Sequence, residues 1–159
     1  KDEDWCRGGC KPKKITKKAN KALPKSYASG KDIKKHAVFV YGTLKRGYGN
    51  HNYHLKDAVF LGKAHTLEKW AMVGQGRAFP YVVERTEEGH QVQGEVFRVS
   101  DAELAKLDIL EGVANGHYKK VDTWIKFTDD KASMKVSMYV SVNKPPMYEE
   151  QTLISNWSN

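Results

Sequence analysis

The segment Ser100 to Gly112, SDAELAKLDILEG, places a carboxylate where an apolar residue is expected. At about 100° per residue, Glu111 falls within about 20° of Leu104 and about 40° of Leu107 on a helical wheel. A carboxylate on that inward stripe loses water, and it also sits at the negative end of its helix. Both effects raise its pKa. An acid poised near neutrality can take a proton and give it back at pH 7. Periodicity alone leaves two placements open: Glu111 buried on the stripe, or turned to water at a frayed helix end. Asp108, one turn earlier, is a candidate second carboxylate, with a backbone-bonding structural role as the expected one. Glu95, in QGEVF, alternates with its neighbours without fixing its face and is read as structural.

Other chemistry is thinner. His51 and His54 are three apart in NHNYH but lack a third ligand at a helpful spacing, so no metal is expected. Cys6 and Cys10, in CRGGC, are open to a local disulfide or to two free thiols. No GxSxG elbow or Walker loop is present. Asn156-Trp157-Ser158 is a glycosylation sequon, relevant only to a secreted protein.

The stretch VFVYGTLKRG, Val38 to Gly47, delivers a β-rich run into a loop at Gly42, where a backbone can approach a ligand closely. Its two cations, Lys45 and Arg46, are expected to lie exposed beyond that loop.

These groups need a frame. Ser100 with Glu103 forms a capping box, predicting a helix from Asp101 that ends near Gly112 in a left-handed residue. After the opening strand, GYGNHNYHLKDA reads as a loop with a short helix, and VFLGKAHTLEKWAMV as one or two strands with a turn near Gly62. A glycine-rich turn, Pro80 and a short strand follow. QVQGEVFRVS alternates as a strand, with Gly94 suggesting a bulge. HYKKVDTWIKF and MKVSMYVSV are two more strands joined by TDDKAS, and PPMYEEQTLISNWSN is a turn with a short amphipathic end. Six short strands with one clear helix argue for a closed or nearly closed, mostly-β domain.

The chain of 159 residues, 40% hydrophobic, suits one domain and has no apolar run long enough to cross a membrane. Its net charge of +8 is unevenly placed: residues 1–36 carry 12 Lys or Arg against 4 acids, and the remainder is balanced at 15 against 15. The basic balance therefore describes an arm, residues 1–35, and not the domain of residues 36–159. That arm is read as solvated or as a docking surface for an anionic partner. The first residues are charged rather than signal-like, and a start at Lys1 suits a processed or excised chain. Secretion and a cytoplasmic location both stay open, and a monomer is expected.

Taken together, YGTLKRG after a strand, Asn50-His51, VQGEVFRVSDAELAKLDILEG and His117-Tyr118 resemble the gamma-glutamylcyclotransferase-like superfamily, and within it the gamma-glutamylamine cyclotransferases. The likeness runs from about Val38 to Trp157. It implies an α+β fold, a small mostly-β barrel with flanking short helices and a cavity beside the YGTL loop. By the same resemblance, the backbone of Tyr41, Gly42, Thr43 and Leu44 would hold a gamma-glutamyl group, Tyr118 and Tyr139 would line the cavity, and Glu111 would be the general acid/base. The implied reaction releases 5-oxoproline and a free amine without a metal or organic cofactor. The leaving amine stays open, with an ε-linked lysine favoured by the resemblance. Two other expectations compete with it: a binding module for gamma-glutamyl or pyroglutamyl groups, and an interaction protein whose arm engages a polyanion. The arm has no counterpart in the family pattern.

Overall fold

The computed structural model describes residues 33–158. The Cys6 and Cys10 expectations, and nearly all of those for the basic arm, lie outside the described residues. Six strands and two α-helices are present among them: β1 (His36–Val40), α1 (Gly49–His54), β2 (Val59–Val73), β3 (Tyr81–Arg85), β4 (His90–Val99), α2 (Asp101–Leu110), β5 (Tyr118–Phe127) and β6 (Ser133–Ser141). No described helix is long and apolar enough to cross a membrane.

The strands run β3-β2-β4-β1-β6-β5, and β2 also pairs with β5 from Ala64↔Phe127 to Thr66↔Ile125. That last pairing closes β2, β4, β1, β6 and β5 into a five-stranded barrel and leaves β3 as an appended edge. Closure removes the exposed ladder that an open sheet would carry. The fold is the small mixed barrel with two flanking helices that the resemblance implies.

Alternation along β1 divides two cores. Phe39 and Tyr41 face the barrel interior with Val96, Phe127, Met138 and Trp157, while Val38 and Val40 face Leu55, Phe97 and Leu107 under the helices. Period-two side-chain direction makes one strand serve both.

α2 begins where its sequence says it should. Ser100 Oγ accepts from the Glu103 N–H at 3.2 Å, and Glu103 Oε1 accepts from the Ser100 N–H at 2.8 Å. The same Glu103 oxygen meets the buried Lys34 ammonium at 2.8 Å. Ser100→Ala should therefore cost about 1 kcal/mol of stability, read as a lower midpoint in urea with an unchanged m-value. An unaltered midpoint would mean the box contributes nothing.

Three local expectations need correction. β2 is one long strand, and Gly62 sits inside it at a register shift instead of in a turn. Gly94 is in regular register opposite Ala64, and the irregularities fall on β2. The C-terminal segment has one 3-10 turn, Tyr148–Glu150, and then an extended tail whose Trp157 is fully buried, its indole N–H donating to the Gly74 carbonyl at 3.0 Å.

Candidate active site

A cavity of about 320 Å3 opens where β1 ends and α2 terminates. The loop Tyr41 to Leu44 forms one wall, Glu111 and Leu110 close the helix side, and Tyr118 and Tyr139 come from β5 and β6. All seven residues singled out from the sequence thus face one space. Its size lies in the range of small-molecule sites.

The loop is held from several sides. Tyr41 is buried, and its hydroxyl donates to the Tyr139 carbonyl at 2.6 Å. A Cβ on Gly42 would lie 2.8 Å from the Pro80 ring, so only glycine lets Pro80 pack there. Asn50 Nδ2 donates to Thr43 Oγ1 at 2.7 Å, and a His51 ring nitrogen lies 3.1 Å from the Leu44 carbonyl. α1 therefore braces the loop, with Asn50 and His51 as its contacts. Among the described residues, no group accepts a hydrogen bond from the Thr43 or Leu44 N–H, so both remain available as donors.

Glu111 is the C-cap of α2, with its N–H bonded to the Leu107 carbonyl, and Gly112 follows at φ 66°. The side chain is mostly buried against apolar and phenolic groups. Desolvation pushes its pKa up from 4.5 to about 7. Burial likewise raises the Tyr118 and Tyr139 phenols, with the Glu111 charge adding to both, so they stay protonated donors at neutral pH. Tyr118 lies parallel to Tyr81 at 6.3 Å between ring centres.

Asp108 is placed differently from the backbone-bonding role expected of it. It accepts from the Tyr139 hydroxyl at 2.6 Å and pairs with Lys120 at 3.0 Å, so it orients a cavity phenol. Asn50, Phe79, Pro80 and Leu110 also line the cavity and were not singled out. Asn50 carried a signal, in the Asn-His pair, whereas Phe79 and Pro80 arrive through a turn whose docking depends on β2 and β3. Lys45 is not exposed beyond the loop as expected: half-buried, it donates to the Trp157 carbonyl at 2.6 Å, while Arg46 is the exposed cation of the two. Among the described residues no three His, Cys, Asp or Glu side chains gather as a metal site.

Residues 38–159 match the family model described as gamma-glutamyl cyclotransferase, AIG2-like. The chain belongs to this family. A relative from Methanocaldococcus jannaschii is 36% identical over 110 residues, covering 62% of this chain and 89% of its own. The gamma-glutamylaminecyclotransferase of Bos taurus is 33% identical over 114 residues, covering 69% of this chain and 67% of its own. A crystal structure of an AIG2-like protein from Mus musculus superposes with a TM-score of 0.69 at 26% identity, covering 77% of this chain and 88% of that one. Membership in the gamma-glutamyl cyclotransferase family carries, at family level, a cyclotransferase-type reaction.

Proposed function

We propose that this cyclotransferase acts on gamma-glutamyl amines, releasing 5-oxoproline and the free amine, with Glu111 moving the protons. The observation that carries the reading is a near-neutral carboxylate lining a cavity of small-molecule size, opposite a loop with free backbone donors.

A gamma-glutamyl amide contains its own nucleophile, the α-amino group, and holding it bent against the γ-carbonyl supplies much of what catalysis requires. The Glu111 carboxylate takes a proton from the α-ammonium. The freed amine attacks the carbonyl carbon of the γ-amide, and the new ring C–N bond forms as the oxygen becomes anionic. As the tetrahedral centre collapses, the exocyclic C–N bond breaks and Glu111 returns its proton to the departing nitrogen. The second proton on the ring nitrogen leaves by the same carboxylate and ends on the released amine, which is the stronger base. The Thr43 and Leu44 N–H groups would receive the substrate carboxylate or the oxyanion, where one positioned donor is worth about 3 kcal/mol.

Gamma-glutamyl-ε-lysine, gamma-glutamyl alkylamines and gamma-glutamyl α-dipeptides, assayed side by side for 5-oxoproline, test the reading. Turnover is expected for the first two and weak release from the dipeptides. Absence of 5-oxoproline from every member would overturn it and favour a module that only binds the gamma-glutamyl group.

A further inference from the structure

Outside the barrel, against the β2–β4 ladder, lies a second and larger cavity of about 580 Å3. Lys45, Arg46 and Lys63 bring three cations to it, against one carboxylate, Glu95. That carboxylate is already engaged: it accepts from the Arg46 N–H at 2.8 Å and lies 3.6 Å from Arg46 Nε. Lys63 stands opposite Glu95 in the ladder yet forms no ion pair among the described residues. Lys45 spends its short bond on a neutral carbonyl, that of Trp157.

Among the described residues that line the cavity, three cations thus face one carboxylate. Burial lowers the Lys45 pKa and the Lys63 charge lowers it further, with only Glu95 acting the other way. His65, on the same wall, has its pKa lowered by burial and further by Lys126 and Lys131. The carboxylates of Asp129 and Asp130, beside the lining residue Thr128, accept N–H groups of their own turn. Neutral donors, the Gln93 and Asn156 amides, complete the wall. Converging cations with their carboxylate spoken for, in a concave space of small-molecule size, favour a multiply charged anion.

We propose that this cavity binds a small multivalent anion bearing phosphate or carboxylate groups, held chiefly by Lys45 and Lys63. The site is independent of the cyclisation chemistry and is read by binding, not turnover.

Calorimetric titration of the full chain with pyrophosphate and, separately, with citrate at low ionic strength tests it. One-to-one saturable binding of at least one probe is expected, and which probe binds identifies the phosphate or carboxylate source. Lys63→Glu should weaken that affinity at least tenfold. Lys144→Glu, at a cation that pairs with Glu149 and does not line the cavity, should change it less than twofold. Amide NMR shifts on binding should centre on Gly94 and Glu95. No saturation with either probe, equal weakening by both substitutions, or shifts elsewhere would overturn the proposal, the last two placing any binding on diffuse charge.

Discussion

Glu111→Gln is expected to fold as the parent does and to release 5-oxoproline from a gamma-glutamyl amine roughly 10²- to 10⁴-fold more slowly, the usual contribution of a positioned acid/base. Glutamine keeps the shape and the hydrogen-bonding capacity of the protonated acid, so it still fills the cavity beside Tyr118 and Leu110. It cannot accept the ammonium proton. The loss should therefore fall on kcat, with substrate affinity within a few fold, because the loop Tyr41 to Leu44 that would bind the gamma-glutamyl group is untouched. Unchanged turnover would remove Glu111 from the mechanism. If Glu111 is the base proposed here, its carboxylate is the active form, and kcat/KM should rise with pH through about 7 on its acid side. That limb should vanish in the residual activity of Glu111→Gln.

The same residue carries a stability signature of opposite sense. Its pKa is raised from 4.5 to about 7 by burial, so the folded state binds the proton more tightly than the unfolded chain. Below pH 4.5 the acid is protonated in both states and costs nothing. Between pH 4.5 and 7 the unfolded chain ionises first, and stability falls as pH rises, reaching a deficit of about 3 kcal/mol above the folded pKa. Glu111→Gln escapes this loss. Urea unfolding of the two proteins at pH 4 and pH 8.5 should give equal stabilities at the lower pH and a more stable variant at the higher.

Much of this site was legible because its signals are local. The capping box fixes the start of α2 within four residues, and the start fixes the phase that points Glu111 inward. β1 announces itself through alternation, and the glycine after it marks the loop. What escaped depends on partners distant in sequence. Asp108 could be placed only once β5 and β6 brought Lys120 and Tyr139 alongside α2. The burial of Trp157, and with it the capture of Lys45, requires the tail to cross to Gly74, 83 positions away. Barrel closure rests on three pairs between β2 and β5 that no periodicity in either strand specifies. Gly94 was noticed for the right property and given the wrong cause, since a bulge and a close backbone approach leave the same mark in a sequence.

That close approach makes Gly94→Ala the substitution with the largest expected structural effect. An added Cβ would lie 2.2 Å from the Val40 carbonyl oxygen and 2.7 Å from the Phe39 ring. The ring can turn aside alone, but the carbonyl belongs to β1, which is paired with β4 through Val40↔Glu95. Relieving the clash therefore means moving the end of β1, and that end delivers Tyr41 and Gly42 into the cavity. A loss on the order of 3 kcal/mol is expected, as for overpacking at a rigid contact, with a thermal midpoint lower by roughly 10 °C. Gly49→Ala is the matched control: nothing lies within 4 Å of its added Cβ, and it begins α1. It should be neutral or slightly stabilising. If the two variants melted together, β1 and β4 would be free to separate, and the loop would lack the fixed position that cyclisation against Glu111 requires. If Gly94→Ala alone falls, its surviving folded fraction at low temperature should also show a reduced kcat, because the strand that spaces the core also aims the loop.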